Sequence, residues 1–335
     1  MTDTSPPPLQ RSAHLKLPPP LVFTFDAFGT IYTPRPSVAA QYAGAYATHF
    51  PRPPPPTDVA KVSRAFYAAF KERASAFPNY GGGESEWWYA VIRGTLRRIA
   101  ESDPDFDLTG GEVAKSPASI EQILDDSGVV GELYEQFNSG KAYVLWNDIV
   151  PFLDTATGGT TRTMIGVISN SDRRSRDVLR GVGMLATITA MAPERMSTTV
   201  APAPWIREDG DVILSVEVGC EKPDPAIFRA AAKHFSQDPI PVNATTSDDP
   251  VAVAKSITHW HIGDEYKKDI APVLLPQLQS WGAVFVRRDE YNDSGISTPG
   301  GTVFLRHGGR VLEVTDLRDV AAVWASDGVS VIIDD

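Results

Sequence analysis

Cysteine is nearly absent from this chain. Cys220 is alone among 335 residues. That excludes an intramolecular disulfide and a zinc site built from several thiolates, and it fits a reducing compartment. Long apolar runs are missing as well, so no segment can span a bilayer as a helix. Basic residues are in deficit: 31 Lys and Arg stand against 42 Asp and Glu, for a net charge of −11. That balance excludes a general nucleic-acid or acidic-membrane binder, because both need a basic surface. It leaves room for a small anionic substrate in a cleft whose local charge opposes the net sign. The first twenty residues hold six prolines and no hydrophobic signal core, so they read as a disordered leader. There Arg11 and Lys16 outnumber Asp3, which keeps a mitochondrial transit peptide as a secondary option. The expected setting is soluble and cytoplasmic, with the nucleus also open.

What is present points to a folded, two-part chain. Hydrophobic residues make up 42% and charged residues 22%, a globular balance. At roughly 150 residues per domain, the length suggests about two domains. Residues 21–25 form a short apolar, β-prone run and predict a buried strand. Residues 37–50, 58–77, 84–100 and 120–137 carry apolar residues at helical spacing, separated by Pro-rich and Gly-rich loops. Trp87, Trp88 and Tyr89 are expected to pack that helical core. Beyond it an alternating pattern resumes: a helix at 150–156, a strand at 163–168, a helix at 173–182 and a strand at 187–191. A surface loop at 196–211 is expected to continue as a hairpin at 212–216. Then follow a helix at 225–235, a loop at 239–251, and strands at 258–262, 283–287 and 301–306. No internal repeat is present. Strands alternating with helices predict an α/β fold with a doubly wound parallel sheet, interrupted by an all-helical insert. The expected boundaries are a leader at 1–20, an α/β core at 21–36 and 145–325, and a helical domain at 37–144.

Four polar clusters follow strands or lead into helices. They are Asp26-Ala27-Phe28-Gly29-Thr30, then Ser169-Asn170, then Lys222-Pro223-Asp224-Pro225, then Gly263-Asp264-Glu265 with Asp269. Parallel connectivity brings such strand ends to one edge of a sheet. Singly, each reads as well as a helix cap, a turn or a surface acid. In this order and at these junctions, they read together as a site. A carboxylate such as Asp26 can attack phosphorus or carbon to form a covalent intermediate that water later cleaves. Ser169 can donate to a transferring oxygen, Asn170 can position the loop or substrate, and Lys222 can neutralise developing charge. Thr30 can order the turn. Asp26 and Asp264, with Asp269 or Glu265 nearby, exceed the charge of Lys222. A hard dication removes that repulsion, and Mg²⁺ is the usual partner of phosphate.

These motifs resemble the haloacid dehalogenase superfamily, over about residues 21 to 317. Within it they look most like the eukaryotic haloacid dehalogenase-like hydrolase domain-containing proteins. Phe77-Pro78-Asn79-Tyr80-Gly81 with Trp87-Trp88 carry that likeness in the insert. Val167-Ile168-Ser169-Asn170 with Asp172-Arg173-Arg174, and Lys222-Pro223-Asp224-Pro225-Ala226-Ile227-Phe228, carry it elsewhere. The resemblance implies a helical cap of the C1 type that opens and closes over the cleft. It also implies Mg²⁺ held by Asp26, the backbone carbonyl of Phe28 and Asp264, with Asp269 in support. Phosphatases of this superfamily carry a second Asp two residues after the nucleophile, where this chain has Phe28. Three readings therefore stay open. One is a Mg²⁺-dependent phosphatase for a small phosphorylated substrate with a good leaving group or another acid. The second is a 2-haloacid dehalogenase, although Gly263-Asp264 pulls that reading back towards a metal. The third is a catalytically weak relative that binds a ligand or partner.

Other residues have both a bland and a functional reading. His259 and His261 alternate on a strand and read better as packed residues than as metal ligands. Cys220 lies close to Lys222 in sequence and reads better as a structural thiol. Arg173 and Arg174 can touch an anion or start a helix. Phe77, Tyr80, Trp87 and Trp88 can line a cap or fill its core.

Overall fold

The computed structural model describes residues 11–18, 22–49, 59–102, 117–158, 163–186, 205–206, 209–235, 248–288, 295–297, 300–325 and 327–334. Its strands in chain order are β1 (Arg11–Leu15), β2 (Val22–Phe25), β3 (Tyr32–Pro34), β4 (Tyr143–Leu145), β5 (Met164–Ser169), β6 (Val212–Leu214), β7 (His259–Gly263), β8 (Trp281–Val286), β9 (Phe304–Arg306), β10 (Val311–Val314) and β11 (Val329–Ile333). The helices are α1 (Val38–His49), α2 (Val59–Ala76), α3 (Glu84–Ser102), α4 (Pro117–Ser127), α5 (Val129–Phe137), α6 (Ile149–Thr157), α7 (Arg174–Gly181), α8 (Ser215–Val218), α9 (Pro225–Phe235), α10 (Pro250–Ser256) and α11 (Leu317–Ala321). The chain divides into two units. The first takes the described residues of Met1–Thr33, Leu145–Asn170 and Met184–Asp335, and the second those of Pro34–Val144 and Ser171–Gly183.

The first unit is built on a nine-stranded sheet in the order β1-β11-β9-β10-β8-β7-β2-β5-β6. Six neighbours, β10-β8-β7-β2-β5-β6, are parallel. Antiparallel pairing enters where β9 meets β10 and where β1 meets β11. β2 is central and every residue in it is buried. A continuous apolar run suits a strand covered on both faces. Side chains alternate accordingly. Phe23 and Phe25 pack edge-on to Phe152 of α6, and Phe23 and Trp260 pack on Trp324. On the opposite face Phe228 of α9 meets His261 and Trp281, in a core with Ile227, Ala231 and Phe235. Helices thus cover both faces, as the doubly wound reading requires.

Several expectations need correction. The leader is not disordered throughout. Residues 11–15 form β1, paired with β11 from Arg11 opposite Ile333 to Leu15 opposite Val329. Leu15 and Leu17 are buried, and Leu17 N–H donates to the Val323 carbonyl, so two apolar residues anchor a segment whose prolines flank it. The core also extends past 325, because β11 belongs to it. The run at 212–216 is not a hairpin. β6 pairs parallel to β5, with Val212 opposite Val167 and Leu214 opposite Ser169. The expected strand at 187–191 lies outside the described residues, as do most of the loops at 196–211 and 239–251.

The second unit is helical. α1 to α5 share a core that includes Tyr42, Tyr46, Val62, Ile92, Leu96, Leu124 and Leu133. Trp87 is buried with its indole N–H on the Phe77 carbonyl at 2.8 Å, and Tyr89 stacks on Tyr134. The expected helix at 173–182 appears as α7, but it groups with this unit rather than with the sheet. The physical cause is Asp172. Its buried carboxylate accepts the Trp88 indole N–H and the Arg174 guanidinium, which in turn lies 4.4 Å over the Trp88 ring. Arg173 pairs with Glu84. Gly140 and Gly181 touch backbone to backbone, where a Cβ on either would sit 2.4–2.5 Å from the other chain segment.

His259 on β7 yields a stability prediction. It is buried, stacked on Trp281 at 5.1 Å, and its Nε2 has no hydrogen-bond partner among the described residues. Burial lowers its pKa to about 4. The folded value lies below the unfolded one of about 6.5, so the fold favours the neutral ring. The stabilisation is therefore present above pH 6.5 and is lost as pH falls towards 4, by roughly 3 kcal/mol in all. Urea midpoints at pH 7.5 and 4.5 are expected to drop further for the parent than for His259→Gln. Equal drops would refute this assignment.

Candidate active site

The parallel connectivity places three motifs at the carboxyl ends of adjacent strands. β2 lies between β5 and β7. Asp26 follows β2, and its N–H donates to the Ile262 carbonyl at 2.8 Å. Ser169 ends β5, and Asp264 follows β7. Lys222 arrives from the turn between α8 and α9. Asn170 holds it there by two bonds: its amide Nδ2 donates to the Lys222 carbonyl (2.8 Å), and its Oδ1 accepts the Lys222 N–H (2.6 Å).

The Lys222 ammonium donates to Asp26 Oδ1 and to Asp269 Oδ1, each at 2.6 Å. Asp269 lies on a wide helical turn, Tyr266–Ile270. Its Oδ2 accepts the Glu265 N–H at 3.0 Å. Two glycines make the approach of the carboxylates feasible. Gly29 has φ +88°, and a Cβ there would meet Asp264 Oδ2 at 2.5 Å. A Cβ on Gly263 would meet Asp269 at 2.3 Å. The Thr30 hydroxyl donates to Asp264 Oδ1 at 2.7 Å.

Asp26, Asp264 and Asp269 present oxygens that all lie within 4.8 Å of one another. Burial first, then the neighbouring carboxylates, pushes Asp26 above the usual carboxylate range despite Lys222. Burial does the same to Asp264, with Asp269 and Glu265 adding to it and the Thr30 hydrogen bond opposing it. Burial would raise Asp269 too, but Lys222 and His261 outweigh it and hold that group well below the range. Burial would lower Lys222, yet its two carboxylate partners hold it well above its ordinary value. Three carboxylates against one ammonium leave negative charge uncompensated. A compact set of hard oxygen donors with that excess fits a dication such as Mg²⁺.

Every residue singled out in the sequence can be placed. Asp26, Lys222, Asp264 and Asp269 form the charged cluster. Ser169 is buried at the end of β5. Thr30 and Asn170 have their side chains bonded within the protein, to Asp264 and to the Lys222 backbone. Phe28 differs from its neighbours: its ring is 52% exposed and packs edge-on to Tyr32. Arg173, Arg174 and the aromatics Phe77, Tyr80, Trp87 and Trp88 belong to the helical unit. Trp87 is buried there, Arg174, Tyr80 and Trp88 are half-buried, and Arg173 and Phe77 are exposed. Cys220 is half-buried, and burial raises its thiol pKa, which disfavours the thiolate.

His261 is packed beside the site, as the sequence suggests, whereas Asp148 and Arg288 carry no sequence signal. His261 bridges two elements, with Nδ1 at 3.0 Å from the Thr24 hydroxyl and Nε2 at 3.3 Å from Asp269. Asp148 and Arg288 form a two-bonded ion pair at 2.7 and 2.9 Å, and the same guanidinium donates to the Thr30 carbonyl at 3.1 Å. Alternation along β7 could have put His261 on the face of Thr24. No spacing signals Asp148 with Arg288.

Comparison with known proteins finds relatives named for the same superfamily. No family model matches the chain. The mouse haloacid dehalogenase-like hydrolase domain-containing protein 3 is 28% identical over 254 residues, covering 74% of this chain and 75% of that protein. The uncharacterized protein YMR130W of Saccharomyces cerevisiae is 23% identical over 287 residues, covering 84% of this chain and 77% of that one. The magnesium-bound putative hydrolase YfnB of Bacillus subtilis aligns over 84% of this chain and 93% of its own, at 13% identity and TM-score 0.42. The chain resembles the haloacid dehalogenase superfamily. Its own architecture is a mostly parallel sheet covered by helices, with a separate helical unit. Among the described residues no helix is long and apolar enough to cross a membrane.

Proposed function

We propose that this protein is a Mg²⁺-dependent phosphatase-type hydrolase acting on a small phosphorylated, anionic molecule. The observation that carries the reading is the cluster of Asp26, Asp264 and Asp269 around a single pinned ammonium, Lys222. Asp26 supplies the nucleophilic oxygen and forms an aspartyl phosphate. Lys222 offsets charge on Asp26 and on the transferring group, and Ser169 donates to a phosphoryl oxygen. Asn170 fixes where Lys222 stands, and Thr30 fixes the rotamer of Asp264. Asp26, the Phe28 carbonyl and Asp264 would hold the ion, with Asp269 in support. When bound, Mg²⁺ neutralises phosphoryl oxygens and admits an anion to a site that otherwise repels it.

The test is phosphate release from a panel of phosphate esters with Mg²⁺ and with EDTA. Release is expected only with Mg²⁺. Asp264→Asn is expected to lower kcat/KM by roughly 10²-fold or more, the scale of losing one electrostatic contributor, and to raise the Mg²⁺ needed. The exposed ring of Phe28 favours a second reading, because halide leaves without a proton. Halide release from 2-haloacids that persists in EDTA would replace the phosphatase by a dehalogenase. No turnover on either panel would leave a binding role.

A further inference from the structure

Among the described residues, the charged groups and the Thr30 hydroxyl around Asp26 already have their protons committed. The Lys222 ammonium is shared between two carboxylates at 2.6 Å each. The Thr30 hydroxyl donates to Asp264. His261 is fully buried between Thr24 and Asp269. Asp269 accepts from Lys222 and from the Glu265 backbone. The side chain that the same turn exposes, two residues past Asp26, is a phenyl ring. It carries no dissociable proton and can neither protonate a departing oxygen nor deprotonate water.

We infer that the site is specific for phosphoric esters and anhydrides whose leaving group departs as a stable anion, such as acyl phosphates and aryl phosphates of acidic phenols. The inference rests on the phosphatase reading and narrows it. In the first step an Asp26 carboxylate oxygen bonds to phosphorus. The bond from phosphorus to the leaving oxygen breaks, and that oxygen keeps the electron pair as a carboxylate or phenolate. No proton is needed. In the second step a water oxygen bonds to phosphorus, and the bond to Asp26 breaks with its electrons returning to the carboxylate. Both protons of the water leave on the phosphate, as dihydrogen phosphate. An alkyl phosphate would have to expel an unstabilised alkoxide, so Phe28 acts as a filter against it. Among the described residues the turn after Asp26 supplies no base for the second step either, so the aspartyl phosphate builds up when the first step is fast.

The experiment uses the full chain with Mg²⁺ and a graded series: acetyl phosphate, nitrophenyl phosphates, phenyl phosphate and an alkyl phosphate. From the most acidic leaving group to the alkyl member, kcat/KM is expected to fall by about 10²-fold or more, the range of general-acid help. With nitrophenyl phosphate, a burst of nitrophenol and a phosphorylated Asp26 in the intact mass are expected. Phe28→Asp is expected to raise the alkyl rate by roughly 10²-fold and to remove the burst. Phe28 is exposed, so the variant should fold, and a circular dichroism melt checks it. A flat dependence on leaving group in the parent overturns the inference while leaving the phosphatase reading intact. A slope unchanged in folded Phe28→Asp removes Phe28 as its cause. Absence of phosphate release and of phosphorylated Asp26 from every member, acetyl phosphate included, defeats the phosphatase reading itself.

Discussion

Asn in place of Asp26 is expected to lower turnover by roughly 10⁴-fold or more, the scale seen when a covalent nucleophile is removed. The fold should survive. The amide oxygen of Asn can still accept from Lys222, and the change removes one of three neighbouring carboxylates. The thermal midpoint is therefore expected at or above that of the parent, because like charges in one buried cluster repel. Steady-state rates and a melt on the same sample check both halves. Turnover retained in a folded Asp26→Asn protein would remove Asp26 from the nucleophile role.

The second large effect lies away from the reacting atoms. The Arg288 and Asp148 side chains are almost wholly buried, and the pair also orders two backbones. Arg288 holds the Thr30 carbonyl, while Asp148 accepts the Leu317 N–H at 2.8 Å at the start of α11. Truncating one member strands a buried charge, which typically costs 3–5 kcal/mol. Arg288→Ala is expected to lose about that much in urea unfolding. Arg288→Ala combined with Asp148→Asn should recover part of it, since the orphaned charge is gone. A loss in Arg288→Ala below about 1 kcal/mol would place this pair with ordinary surface ion pairs.

The sequence made the parallel strands and their ends readable, because each motif is local. A buried run, then an acid or a hydroxyl, then a turn can be recognised without knowing what lies beside it. Strand adjacency then brought Asp26, Ser169 and Asp264 to one edge, and Asn170 with Lys222 followed. The rest depended on contacts that no spacing records. His261 matters because Thr24 and Asp269 happen to flank it. Arg288 matters because Asp148 and the Thr30 carbonyl converge on it. Leu15 and Leu17 were too few to stand out within a Pro-rich start. Asp172 stands in a recognisable motif, yet its bonds to Trp88 and Arg174 decide which unit α7 joins.

The central place of β2 also bears on synthesis. The hydrogen bond from Thr24 to His261 joins residues 237 apart, and the bond from Lys222 to Asp26 spans 196. β2 therefore leaves the ribosome long before either neighbour exists, while the helices of the second unit can close among themselves by local contacts. Pairings of such sequence separation are slow to form. Until they do, the apolar segment Val22–Phe25 is a sticky edge exposed to other nascent chains. The strand that carries the nucleophile is thus also one that calls for chaperone protection during translation.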